Sequence, residues 1–258
     1  MKNPSSQLSQ NDFKQVKIFI LGLILLFSFC LFLPSSLLAQ QKLVISTFNI
    51  KSVTIPLTFA VLKEAYKRNG IEIALEKLPG KRALISSNSG KTDGELLRVK
   101  GIQKQFSNLV IVPVPVYHLK VVAITYQKEI QINGVQSLKP YKLGILRGMV
   151  VTEKLTNGMN RHEVNSAKSL FSILKRGRID AAIYLRADAE FFISTSPELK
   201  GLKILEPPLL TTTNYHFLNK KHQTLVPKIT ATLEDMEKTG TIKKIQEQVF
   251  KKLIGGDN

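Results

Sequence analysis

The stretch Ser166–Leu185, SAKSLFSILKRGRIDAAIYL, decides how this chain folds. Its first half sets Leu170, Ile173 and Leu174 at helical spacing, which predicts an amphipathic helix. Gly177 stands where a helix ends in a left-handed residue. Ile179-Asp180-Ala181-Ala182-Ile183-Tyr184 then reads as a short buried strand. A fainter copy lies upstream. Arg82-Ala83-Leu84-Ile85 opens a helical segment that is followed by Gly90-Lys91-Thr92-Asp93-Gly94. Each unit runs helix, glycine, base, one residue, aspartate, small residue. Two such units predict two similar α/β lobes with room for a ligand between them.

The N-terminus is a separate object. Lys2, Lys14 and Lys17 precede an apolar run from Ile18 to Leu33, and Pro34-Ser35-Ser36 breaks it before Leu37-Leu38-Ala39-Gln40. That is the plan of a secretory signal, residues 1–39, with cleavage after Ala39. An uncleaved anchor in the inner membrane is the alternative, although a run of about 16 residues is short of the roughly 20 that a spanning helix needs. The single cysteine, Cys30, falls inside this segment, with Phe29 where lipidation needs a small residue. The exported chain therefore has no thiol for disulfides, nucleophilic catalysis or metal thiolates. A large cysteine-free exported domain suits a Gram-negative periplasm.

The net charge is +18 over 258 residues, and about +16 once the segment 1–39 is removed. The basic residues are spread along the chain and do not form an arm interleaved with aromatics, so nucleic acid is not an expected partner. They describe a solvated surface, with a weak preference for an anionic ligand or for the anionic membrane surface as the second reading.

In chain order, Leu43–Thr47 reads as a first strand. Ile55, Phe59, Leu62 and Tyr66 mark a helix with Pro56 in its first turn and Gly70 at its end. Ile71–Leu75, Leu109–Val112, Val121–Thr125, Leu143–Leu146 and Leu202–Leu205 read as further strands, and Met149–Leu155 as a helix. Two helices close the chain, one marked by Val226, Ile229, Leu233 and Met236, the other by Ile242, Ile245, Val249 and Leu253. Gly240-Thr241 separates them. Strands alternating with helices predict an α/β fold with mixed, mostly parallel sheets.

This ordered set resembles the type 2 periplasmic binding proteins, and among them the extracellular solute-binding family 3. GKTDGELLR followed by FSNLVIVPVPVYHLKVVAITYQ is similar to the stretch that closes the first lobe and crosses to the second. LGILRGMVVTEKL resembles the start of the second lobe, and SLFSILKRGRIDAAIYL its helix–Gly–base–x–Asp–Ala segment. NYHFLNKKHQTLVPKITATLEDMEKTGTIKKIQEQVF resembles the return to the first lobe. The resemblance implies lobe one over 40–124 and 213–258 and lobe two over 125–212. It places the hinge crossings near Val121–Gln127 and Leu209–Phe217.

The resemblance also implies where a ligand sits. Arg98 corresponds to an arginine that forks onto a carboxylate, a geometry lysine does not reproduce. Arg147 and Gly148 open the helix of lobe two, where free backbone N–H groups attract anions. Phe48 at the end of the first strand offers an apolar wall. Arg82, Asp93, Tyr184 and Tyr215 complete the candidate ligand-binding set. Amino-acid binders of the family hold the ligand's amino group with an aspartate at the position of Leu185. A standard α-amino acid then needs Asp188 or Asp180 instead.

Enzyme machinery is not legible. His118, His162, His216 and His222 are scattered, and no nucleophile elbow, phosphate loop or dinucleotide fingerprint appears. The expectation is a monomeric, cofactor-free and metal-free periplasmic solute-binding protein. Its partners are a small molecule, for which the positive charge favours an anion, and a membrane permease of an ABC-type importer. A membrane sensor protein is the alternative partner, and a hydrolase on the same fold is the remaining reading.

Overall fold

The computed structural model describes residues 42–127 and 129–256. The expected signal segment and Cys30 lie outside them. Nine strands form one sheet: β1 (Lys42–Phe48), β2 (Glu72–Leu78), β3 (Gly94–Val99), β4 (Leu109–Thr125), β5 (Leu143–Leu146), β6 (Arg161–Val164), β7 (Ala181–Leu185), β8 (Lys203–Ile204) and β9 (Leu210–Asn219). The order is β2-β1-β3-β9-β4-β7-β5-β6, with β8 beside β4. The helices are α1 (Thr54–Arg68), α2 (Gly80–Ser89), α3 (Val150–Leu155), α4 (Ala167–Lys175), α5 (Arg186–Thr195), α6 (Val226–Lys238) and α7 (Thr241–Gly255).

The expected mixed α/β sheet is present. Strands joined through a helix pair in parallel, β1 with β2 and β3, β5 with β6 and β7. Every antiparallel pairing involves β4 or β9. These two long strands run side by side from one half of the molecule to the other. The halves have separate cores. Leu43, Ile45, Leu62, Tyr66, Leu96, Val114, Leu218, Ile229 and Met236 fill the first. In the second half, Val122, Ile124, Leu170, Phe171 and Leu174 pack on one sheet face, and Val121, Ala123, Leu143, Ile145 and Ile183 on the other. Each such side chain contributes about 1.5–3 kcal/mol by leaving water, so each half holds itself together.

β4 crosses from the first core, which takes Val116 and Tyr117, to the second, which takes Leu119 and Val121. The two apolar runs expected as separate strands are one strand, β4. Pro113 and Pro115 cannot donate to the ladder, and the register shifts around Pro115 absorb them. On the return strand, the exchange between cores falls between Leu210, which packs in the second half, and Leu218, which packs in the first.

The repeated unit has one structural meaning in both halves. Asp93 N–H donates to Val44 O at 2.7 Å, and Val44 N–H donates to the Asp93 carboxylate at 2.7 Å. Asp180 N–H donates to Lys142 O at 2.7 Å, and Lys142 N–H to the Asp180 carboxylate at 2.7 Å. In each half the aspartate ties the entry of one strand to the entry of its neighbour. The helix before it ends as expected, with Gly90 and Gly177 at positive φ.

Candidate functional site

The C-terminal ends of β3 in the first half and β7 in the second lie on either side of the point where β4 and β9 pass between the cores. Ligands of open α/β sheets bind outside such ends. The register fixes the level: Arg98 on β3 is opposite Tyr215, and Tyr215 opposite Pro115, just before the crossing. Leu185 at the end of β7 is opposite Val121, just after it.

One carboxylate joins the halves. Asp188, in the first turn of α5, accepts from Val53 N–H at 2.7 Å and from the Ser52 hydroxyl at 2.9 Å, at the entry of α1. The first turn of α1 holds no acidic residue of its own. Asp188 therefore supplies from the opposite half the negative charge that a helix N-terminus favours. It is 2% exposed. Burial pushes its carboxyl up to about 6, against the two hydrogen bonds that pull it down. Beside this contact lies a cavity of about 300 Å³. Thr54 and Tyr117 of the first half, His118 and Lys120 of the crossing, and Leu185 and Glu190 of the second half are among its walls.

On the first half, Arg98 and Glu95 form a closed pair. Arg98 Nε and Nη2 reach Glu95 Oε1 at 2.9 and 2.7 Å, and Nη2 also donates to Gly80 O at 3.2 Å. Phe48 lies under the guanidinium, 5.0 Å from ring centre to Cζ, a cation–π contact. Ser46 donates to the other oxygen of Glu95 at 2.8 Å. Glu95 is fully buried, and burial raises its carboxyl to about 7 while Arg98 and Ser46 pull it down. Behind it His216 is fully buried. One ring nitrogen bonds Glu95 O and the other the Tyr66 hydroxyl, both at 2.8 Å. Burial lowers His216 to about 4, so its ring is neutral.

On the second half, Gly148 at the end of β5 has φ +81°, a conformation that favours glycine. Its N–H donates to Glu153 Oε1 at 2.6 Å, and Met149 N–H turns back to Leu146 O. Arg147 is exposed, with Nε 3.6 Å from Glu163.

Of the expected residues, Phe48, Arg98, Tyr215, Arg147 and Gly148 stand at the strand ends that face the other half. Three do not. Asp93 lies at the strand entries, the opposite end of the sheet. There Lys221 at 2.8 Å and His222 at 2.7 Å also hold it, and these bonds outweigh burial and keep its carboxyl below the usual range. Tyr184 is 1% exposed, packed edge-on against Phe171 and beside Phe192, and burial raises its phenol. It points into the core because its neighbour Leu185 takes the other face of the strand. Arg82 is exposed on α2. Asp180 is the strand clamp already described. Asp188, Ser52, Glu95 and Glu153 are the groups that sequence reading did not assemble.

Among the described residues, no group of three or more His, Cys, Asp or Glu side chains is arranged to hold a metal ion. Among the same residues no helix is long and apolar enough to cross a membrane.

No family model matches the sequence. A protein of Shewanella oneidensis, described only as uncharacterized, is 28% identical over 200 residues, 73% of this chain and 74% of its own length. Solved structures resemble the fold at lower identity. The ligand-binding core of GluR0 in complex with L-glutamate superposes with a TM-score of 0.66 at 12% identity, covering 81% of this chain and 98% of its own. An ancestral arginine-binding protein bound to arginine gives 0.61 at 21% identity over 81% and 98%. An amino acid ABC transporter substrate-binding protein from Streptococcus pneumoniae, bound to L-arginine, gives 0.59 at 19% over 84% and 97%. The chain has the two-lobed fold of the type 2 periplasmic binding proteins.

Proposed function

We propose that this chain is an exported solute-binding protein that holds a small molecule between its lobes and presents the closed form to an ABC-type importer. The lobes are 42–117 with 215–256, and 121–210, joined by the two crossing segments. The observation that carries this reading is the bond from Asp188 of one lobe to Ser52 and Val53 of the other. It ties the helix that follows β7 to the entry of α1, beside Thr54 and Ala187 in the wall of a cavity lined by both lobes. A pair of lobes with separate cores, linked by only two strands, is the construction that closes around a ligand by hinge motion. The solved structures of similar fold that hold arginine or glutamate support a small polar solute.

No step of this function needs catalysis. Binding shifts the population toward the closed form, and its magnitude is the difference in affinity between open and closed states. A thermal-shift screen of the exported chain against amino acids, amines, amides and organic acids tests the reading. A ligand present at 100 times its Kd raises stability by about 2.7 kcal/mol. A screen without any stabilising compound counts against solute binding.

A further inference from the structure

We propose that the strand-entry end of the second lobe holds a site for a phosphoryl anion, separate from the cleft between the lobes. At that end, where β5, β6 and β7 begin and α4 stops, lies a cavity of about 310 Å³. Lys142, His162 and Arg178 stand in its wall with Asp180, and Ile173 and Ile179 supply its apolar part. Gly148 lies beyond the far end of β5, a strand of four residues and therefore roughly 13 Å long.

Comparison of the two aspartate clamps shows what sets this end apart. In the first lobe the clamp also takes up the nearby cationic side chains: Lys221 and His222 reach the Asp93 carboxylate at 2.8 and 2.7 Å. In the second lobe one oxygen of Asp180 accepts from the backbone N–H of Lys142 at 2.7 Å and the other from the Gln127 amide at 3.0 Å. Both donors are uncharged, so the Lys142 ammonium and the Arg178 guanidinium are left over. Among the described residues neither of these groups, nor the His162 ring, has a hydrogen bond or an ion pair, and all three residues are exposed.

The fold uses the backbone of these residues and leaves their side chains unexplained. Basic residues at the end of a helix ordinarily answer its free carbonyls. Here the carbonyls of Ile173 and Leu174 accept the N–H groups of Arg178 and Gly177, each at 3.0 Å, the closing pattern of a helix that ends in glycine. Arg178 thus gives α4 its N–H and keeps its guanidinium. His162 is opposite Gly144 in the parallel ladder, and Ile179 fills the space that a Cβ on Gly144 would take. The ring therefore stands on the face that Ile179 covers. Positive charge continues around the cavity. Lys175 and Arg176 close α4, and Lys203 is opposite Thr125, whose hydroxyl donates to Asp180 O at 2.6 Å.

A guanidinium forks onto two oxygens of a tetrahedral anion, and an ammonium neutralises it as a point charge. With a ring nitrogen and an apolar part beside them, this wall matches a phosphate ester with a small substituent. A soluble phosphate ester and the headgroup of an anionic phospholipid both present that group.

Two assays of the exported chain test the site. One is calorimetry with sodium phosphate and with glycerophosphate. The other is co-sedimentation with vesicles of phosphatidylglycerol and phosphatidylcholine in equal parts, against phosphatidylcholine alone. Lys142→Ala/Arg178→Ala removes both charges and keeps the backbone bonds of the clamp and of the helix end. Lys63→Ala/Lys67→Ala removes the same charge from α1 of the first lobe. The expected result is saturable binding that is at least tenfold weaker in Lys142→Ala/Arg178→Ala and within twofold of the parent in Lys63→Ala/Lys67→Ala. That pattern in calorimetry assigns the site to a soluble ester, and in co-sedimentation alone to a lipid headgroup; either supports the phosphoryl site. Absence of binding in both assays overturns it. So does binding that Lys142→Ala/Arg178→Ala leaves unchanged, which puts the anion elsewhere, and binding that both variants weaken equally, which is the effect of net charge.

Discussion

Removing the Asp188 carboxylate should loosen the lobes, and the size of the effect follows from three terms. Asp188→Ala deletes two hydrogen bonds to a charged acceptor, each worth about 1.5–3 kcal/mol, and leaves the buried Val53 N–H unpaired at a further cost of about 1–3 kcal/mol. Against this, burial has raised the carboxyl from 3.8 to about 6. Ionisation in the closed form therefore carries about 3 kcal/mol that the variant no longer bears above that pH. The closed form should weaken by about 1–6 kcal/mol at pH 7. Asp188→Asn keeps an acceptor and drops the charge, so it should close at least as well as the parent. The pH dependence has a definite sign. A carboxyl whose pKa is raised on closure takes up a proton as the lobes close. The closed form gains as pH falls from about 6 toward 4 and loses as pH rises through 6. Tyr117, Tyr184 and Glu190 surround the group, and neither phenol titrates in this range because burial raises both. Spin labels at Lys81→Cys and Lys154→Cys, in a Cys30→Ser background, report the interlobe distance by double electron–electron resonance. The parent should be more closed at pH 5 than at pH 7, Asp188→Asn should be flat, and Asp188→Ala should be the most open. Equal distance distributions in parent and Asp188→Ala at pH 5 would refute the reasoning.

Other outcomes follow from the same structure. Arg98→Ala leaves fully buried Glu95 without its cation and should cost about 3–5 kcal/mol in denaturant unfolding, most of it recovered in Glu95→Gln/Arg98→Ala, which has no charge to compensate. Gly94→Ala places a Cβ 2.4 Å from the backbone oxygen of Phe217, so β3 and β9 must part and stability should fall by about 1–3 kcal/mol. His216→Phe leaves the Tyr66 hydroxyl unpaired and should cost about 1–3 kcal/mol at pH 7. Because a neutral buried imidazole with its pKa lowered to about 4 contributes stability above its ordinary value of 6.5 and loses it as pH falls, the variant should also lose part of the parent's acid sensitivity between pH 6.5 and 4. Parent and variant curves that run parallel over this interval would contradict that account.

Much of this fold is legible in the sequence because it depends on local pattern. The spacing of Leu170, Ile173 and Leu174, the glycine at 177 and the run to Tyr184 specify helix, stop and buried strand without reference to the rest of the chain. The echo at Gly90–Gly94 is equally local, and both aspartates serve the same strand clamp. Elements that rest on distant partners are less legible. β3, with the polar residues Glu95 and Arg98 in a buried strand, is a strand only because Glu95, Arg98 and Ser46 satisfy one another across 49 residues of sequence. Pro113 and Pro115 argue against a continuous β4, and pairing with β9 on either side overrides them. The site suffers most. Asp188 sits in a helical segment whose local pattern reads as surface, and its role exists only because Val53, 135 residues away, lies opposite it. Arg98 and Gly148 were found from the resemblance, but their carboxylate partners are properties of the packed structure.

The central claim is that a solute stabilises the closed arrangement of two lobes. Interlobe distance measured by double electron–electron resonance at the Lys81→Cys and Lys154→Cys positions, with and without the most stabilising compound from the thermal-shift screen, tests it most directly. The account predicts that the ligand narrows the distribution onto the short distance, to the same extent at pH 7 and pH 5 once the site is saturated. A ligand that binds tightly and leaves the distribution unchanged would contradict it.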